Sequence, residues 1–238
     1  MKKIFLFLLA FITVNISRAQ NEIVIDPNAS VRILSGNFNA IKISGGIDLY
    51  VSQSETEAVA VSAAEERYKD AIKITIENGV LKINAGGDKK WNLKDRKMRA
   101  YVSFKNLEKI DASGACDVVV SGTIAVNALD LVLSGASDFK GMVKTNSLKL
   151  NLSGASNVRI SGTAGNVDIV SSGASDVDGY NLISDICNAK VSGASDINIT
   201  VNKELNASAS GASEIHFKGT GLIKDMHSSG SSSISRKS

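Results

Sequence analysis

Between Ala128 and Ala209 apolar residues recur at every second position in short runs, and each run stops at the same small-residue signature. Leu129, Leu131 and Leu133 lead into Ser-Gly-Ala-Ser at 134–137, and Leu148, Leu150 and Leu152 lead into the same four residues at 153–156. The next runs read Val167, Ile169, Ser171, then Cys187, Ala189, Val191, then Leu205, Ala207, Ala209. The residues between them are mostly polar, among them Asp130, Lys149, Asp168, Asn188 and Asn206. Period-two alternation predicts a strand with one buried face. Beyond each signature lies a second apolar pair, as in Val118/Val120, Val158/Ile160, Ile197/Ile199 and Ile215/Phe217. A second turn follows, Ser-Gly-Thr at 121–123 and 161–163 and Lys-Gly-Thr at 218–220.

The signature returns at Ser113, Ser134, Ser153, Ser172, Ser192, Ser210 and Ser229, in steps of 21, 19, 19, 20, 18 and 19 residues. Strand, turn, strand, turn in such a step leaves no room for an ordinary helix, though a third short strand fits in some coils. Equivalent strands of successive coils then pair in parallel, ~4.8 Å apart. The expected fold is all-β: a parallel β-solenoid over 106–238, with Leu131, Leu150, Ile169 and Ala189 stacked inside. A sandwich of short strands does not account for a turn that recurs in phase. With the signature serine as position 0, Gly at +1 permits positive φ, Ala at +2 suits a tight bend, and Ser at 0 and +3 can bond turn amides. Cys116 at +3 of the first copy shows that this slot asks for a small side chain.

Residues 20–105 are also β-rich but lack the period, and are expected to cap the first coil within the same domain. "FNAIKISGGIDLYVSQSE" reads as two strands around Gly45-Gly46. Asn78-Gly79 between alternating runs predicts a hairpin, and "AAEERYKDAI" predicts one short helix.

Residues 1–19 read as a signal peptide: Lys2 and Lys3, an apolar run from Ile4 to about Val14, and small residues at Ser17 and Ala19. That run is too short to span a bilayer. The leader holds three of the 27 basic residues (Lys2, Lys3, Arg18) and no acid, so the remaining chain balances its 24 acids. The pI of 8.8 therefore belongs largely to the leader, which removes the electrostatic support for a nucleic-acid partner. No membrane span is expected after cleavage. Export would place Cys116 and Cys187 in an oxidising compartment, but they lie four coils apart, roughly 19 Å at one rung per coil, too far for a disulfide.

Position +4 carries Asp117, Asp138, Asn157, Asp176, Asp196, Glu214 and Ser233. This row reads as turn capping rather than a cation site, because Asn157 interrupts it. The two histidines, His216 and His227, are too few for a zinc site with these cysteines, and a serine nucleophile would need one of them as base. No cofactor is expected. "GGDKKWNLKDRKMRAYV" gathers Lys89, Lys90, Lys94, Arg96, Lys97 and Arg99 around Trp91. A basic, aromatic loop of this kind can hold an acidic glycan or surface polymer; otherwise it is a solvated loop whose Trp covers the core.

"AIKISGGIDLYVSQ" (40–53), "ITIENGVLKINA" (74–85) and "LEKIDASGACDV" (107–118), followed by the repeats, resemble the head GIN domain proteins, secreted proteins of Bacteroidetes-type bacteria labelled autotransporter adhesins. The resemblance spans about 30–225. The Gly-Ile-Asn element falls at Gly46-Ile47, with Asp48 in place of Asn. It implies an exported protein, periplasmic or extracellular, and brings no catalytic residues; no autotransporter barrel is expected in this chain. The leading expectation is a non-catalytic adhesin or ligand-binding protein of the cell envelope. A glycan-active enzyme of the polysaccharide-lyase kind and a purely structural envelope scaffold are the alternatives. The oligomeric state stays open.

Overall fold

The computed structural model describes residues 26–86 and 96–237. The repeats form a parallel β-solenoid. Its coils are built from β8 (Lys109–Gly114), β9 (Asp117–Ala125), β10 (Ala128–Gly135), β11 (Asp138–Leu152), β12 (Asn157–Ser171), β13 (Asp176–Val191), β14 (Asp196–Gly211), β15 (Glu214–Lys218), β16 (Leu222–Gly230) and β17 (Ser233–Arg236). The expected interior row is present: Ile110, Leu131, Leu150, Ile169, Ala189 and Ala207 are successive rungs. A second row runs through Val118, Phe139, Val158, Val177, Ile197, Ile215 and Ile234. Apart from Ile234 these side chains are buried, so the coil interior is one aliphatic stack.

Two expectations are corrected. The second turn does not end a strand: β11 through β14 each run as one long bent strand from corner to corner. Bends such as Gly162, at φ +111°, turn the chain while ladder pairing continues through them. The slot at +3 is also not merely small. Ser137, Ser156, Ser175, Ser195 and Ser213 are fully buried there. Ser156 Oγ donates to the Ser153 carbonyl at 3.1 Å, and Ser175 Oγ accepts the Ser156 amide at 3.2 Å. Cys116 keeps the pattern, its Sγ donating to the Ser113 carbonyl at 3.3 Å. The corner is therefore a spine of buried hydroxyls joining one coil to the next.

Glycine at +1 is required twice over. Gly135, Gly154, Gly173 and Gly193 have φ between +77° and +87°. A Cβ on any of them would also fall under 3.0 Å from the carbonyl oxygen of the glycine one coil below. The coils approach so closely because the +2 amide bonds that same carbonyl, as Ala155 N does to Gly135 O at 2.7 Å.

The stack does not begin at residue 106. β2 (Ala40–Ser44) pairs in parallel with β8, and β3 (Ile47–Gln53) with β9. Ser44 sits opposite Ser113, so Ser44-Gly45-Gly46 is a further corner. β6 (Val80–Ala85) and β7 (Met98–Phe104) stack on the other side of β2 and β3. The coil order along the axis is thus β6/β7, β2/β3, β8/β9, and then onward in sequence. The cap is narrower than expected. β4 (Ala58–Ser62) lies antiparallel on β7, β1 (Ser30–Arg32) on β4, and β5 (Ile72–Glu77) on β6 through the Asn78-Gly79 hairpin. The helix α1 (Glu66–Asp70) buries Tyr68 beside them. At the far end Arg236 lies 4.9 Å over the Phe217 ring and donates to the carbonyls of Gly219 and Gly221. Among the described residues no helix is long and apolar enough to cross a membrane.

Candidate ligand-binding face

Side chains on alternate positions point outward, so each outward position becomes a row with one residue per rung. Several neighbours pair along these rows. Lys109 bonds Asp130 at 3.0 Å, and Lys42 lies 3.2 Å from Asp111. Asn206 donates to Asn188 at 2.9 Å, which donates to Asp168 at 2.8 Å.

The +4 row behaves as the capping reading expects. Asp138 Oδ1 accepts the Asn157 side chain at 2.8 Å and its backbone amide at 3.2 Å, and Asp176 Oδ1 accepts the Asp196 amide at 3.3 Å. The row extends into the N-terminal coils through Asp48 and ends opposite Arg99. Burial, and then the neighbouring carboxylate, pushes the carboxyls of Asp48 and Asp117 above their ordinary value. Among the described residues no group of acids, histidines and cysteines is placed to hold a metal ion.

Of the expected basic loop, Lys89, Lys90, Trp91 and Lys94 lie outside the described residues. Arg96 is nine-tenths buried, Lys97 is exposed at φ +43°, and Arg99 is half-buried, 3.6 Å from Asp26. Asp26 also accepts Ser62 at 2.6 Å and Tyr101 at 2.8 Å. The Ser62 bond is the main reason its carboxyl is held below the usual range.

Near the far end His216 Nδ1 meets Ser235 Oγ at 3.0 Å, and Nε2 meets Glu214 at 2.9 Å. The three have the composition of a hydrolase triad. The arrangement follows from the ladder, however: Ser235 is His216's rung partner, and Glu214 is two residues away on the same strand.

The +6 row differs from the rest. It reads Tyr101, Tyr50, Val119, Lys140, Arg159, Asp178, Asn198, His216 and Ser235. Tyr50 and Tyr101 stack at 5.2 Å with their planes 22° apart. Beside them lies a recess of about 560 Å³ lined by Tyr50, Lys140, Gly141, Met142 and Arg159, among others. Register irregularities make it. Between Val119 and Thr123 strand β9 has three residues where β11 has only Gly141, and between Asp178 and Leu182 strand β13 has three where β12 has two. The two coils between these bulges are in unbroken register with each other. Hydrophobic patterning missed this site. The uneven steps, 21 and 20 residues around two of 19, were its signal in the sequence.

A family model matches residues 37–221, the span of these coils, under the description "Putative auto-transporter adhesin, head GIN domain". The chain belongs to the head GIN domain family. Solved structures share the fold of this GIN domain protein at low identity. A "putative adhesin" from Bacteroides fragilis is 21% identical with TM-score 0.81, over 89% of this chain and 98% of that one. A "putative lipid binding protein" from Parabacteroides distasonis is 19% identical with TM-score 0.70, over 90% and 98%. A second Parabacteroides distasonis protein, a "putative adhesin", is 20% identical with TM-score 0.69, over 89% and 98%. The search of curated proteins found no relative.

Proposed function

We propose that this head GIN domain protein is an exported, non-catalytic adhesin of the cell envelope, which holds an external polymer such as a glycan against the side of its stack. The observation that carries the reading is the rigid lattice of outward rows: polar side chains at one rung spacing, fixed by a continuous parallel ladder, present a repeating surface as solenoid binders do. The family supports an adhesin-like role. Export rests on the leader at 1–19, with the protein periplasmic or extracellular after its removal. In this reading Lys89, Lys90, Trp91 and Lys94 add a basic, aromatic patch that also meets the polymer, with Lys97 as its described, exposed member. Arg96, being buried, serves the fold there.

A hydrolase is the competing reading, because of the contact of Ser235, His216 and Glu214. The test is a panel of immobilised glycans and envelope polymers, scored for binding and for release of soluble product by the mature protein. Binding without turnover is expected, and Ser235→Ala should change neither. Turnover abolished by Ser235→Ala or His216→Ala would overturn the non-catalytic reading.

A further inference from the structure

We infer that the recess between the two bulged coils is the binding site proper, and that its ligand is a carboxylated oligosaccharide of the uronic-acid class. This inference rests on the adhesin reading above and names the site and the ligand chemistry.

Charge comes first. Lys140 and Arg159 are rung neighbours on the two coils in register, both exposed, so two cationic side chains leave the sheet from backbones ~4.8 Å apart. Like charges at that spacing repel, and elsewhere on the stack a lysine row is interrupted by its own counter-ion, as at Lys109–Asp130. Neither the Lys140 nor the Arg159 side chain makes a hydrogen bond or an ion pair among the described residues. The acids nearest in the pattern are Asp138 and Asp176 on the +4 row, and Asp178 on the next rung. Asp138 is engaged with Asn157. An unpaired cation pair in a concavity is a place for an anion, and the planar guanidinium of Arg159 matches a carboxylate in two-point geometry.

Shape comes second. The recess has the size of a small-molecule site, and its wall combines an aromatic ring with a few polar groups, as such sites do. One face of Tyr50 is covered by Tyr101, and the ring lines the recess across the small Val119. A pyranose laid on that ring would put its C5 carboxylate toward Lys140 and Arg159, with Asp178 and Asn181 beyond to receive hydroxyls. A flexible peptide would not need the flat ring, and a bare phosphate would not use it. Because both walls are bulges of a continuous ladder, the pocket is built into the backbone and needs no closure.

The test uses the mature protein and oligogalacturonate, with a neutral glucan of equal length and inorganic phosphate as the other probes. Oligogalacturonate is expected to bind and to weaken as salt rises, the glucan not to bind, and phosphate to compete poorly. Lys140→Ala with Arg159→Ala should lower affinity by roughly tenfold or more, since each removes a charge-assisted bond. Tyr50→Ala should lower it and Tyr50→Phe restore it. Lys140 and Arg159 are exposed, so an unchanged melting temperature should accompany the loss in the double variant, and Tyr50→Phe should keep the stack on Tyr101. If the double variant binds as wild type while Lys89/Lys90/Lys94/Lys97→Ala loses binding, the recess is refuted and the adhesin reading stands on the loop. If phosphate competes as well as galacturonate, the saccharide assignment is refuted. Binding only to neutral glycans or protein would also overturn this inference and leave the adhesin reading; hydrolysis of the probe would overturn the adhesin reading.

Discussion

Gly154 and Gly122 offer a clean separation of two costs that glycine avoids in this fold. Both have positive φ, +81° and +85°. An added Cβ at Gly122 meets nothing within 4 Å, whereas at Gly154 it would stand under 3.0 Å from the Gly135 oxygen, 3.0 Å from its nitrogen and 3.2 Å from its carbonyl carbon. Replacement by alanine therefore costs Gly122 only the left-handed backbone, ~1 kcal/mol. Gly154→Ala carries the same strain and must also push two coils apart at the corner. The bonds that hold them there are Ala155 N to Gly135 O at 2.7 Å and Ser153 N to Leu133 O at 3.0 Å. Weakening both adds ~1 kcal/mol each, for ~3 kcal/mol in all. The entropy that alanine removes from the unfolded chain favours both variants equally and cancels in the comparison. At about 2–4 °C per kcal/mol for a chain of this size, Gly122→Ala should melt a few degrees below wild type and Gly154→Ala about 6–12 °C below. Thermal unfolding followed by circular dichroism reads both. Equal shifts, or a larger one at Gly122, would refute the argument that coil contact, and not φ alone, selects glycine at the corner.

Ser156→Ala should cost ~1 kcal/mol in urea unfolding through its lost bond to the Ser153 carbonyl, and Ser156→Cys should cost less, because Cys116 makes the same bond two corners away. Burial pushes the Cys187 thiol from its ordinary 9.0 up to about 12. The neutral thiol's contribution is therefore complete below pH 9 and is lost as pH rises toward 12; Cys187→Ala should flatten the fall in urea midpoint over that window, and both thiols should resist alkylation until the chain unfolds. The Asp117 carboxyl is raised above 3.8 by burial and by Asp138, so ionising it opposes folding: its contribution is best below 3.8 and worsens as pH rises through the folded value. Asp117→Asn should raise the melting temperature at pH 7, with the gain vanishing below pH 4; a gain that persists in acid would assign it to something other than charge.

The basic loop shows how far residue type alone carries. Its charges were legible, but not that the Arg96 side chain turns inward while Lys97 stays in solvent, because the same basic letters serve either place. The recess was less legible still. Lys140 and Arg159 read as ordinary outward residues until the ladder sets them on adjacent rungs between two bulges.

What the sequence determined by itself was everything that repeats locally: the coil length, the alternation that sorts Leu131, Leu150 and Ile169 inward, the glycine corner, the Asn78-Gly79 hairpin and the short helix. These follow from side-chain period and backbone sterics within a few residues, and each copy states them again. Only the tertiary structure decided the order of coils at the capped end. Ser44-Gly45-Gly46 carries the same corner chemistry as the later copies, yet it lies before them in the chain and is separated from Ser113 by β4 to β7. An inward-outward alternation fits any neighbouring coil equally well, so it cannot say which strand lies on which. That choice, with β2/β3 inserted between β6/β7 and β8/β9, is made by which stacking covers the aliphatic interior and leaves the antiparallel strands β1, β4 and β5 to close its end.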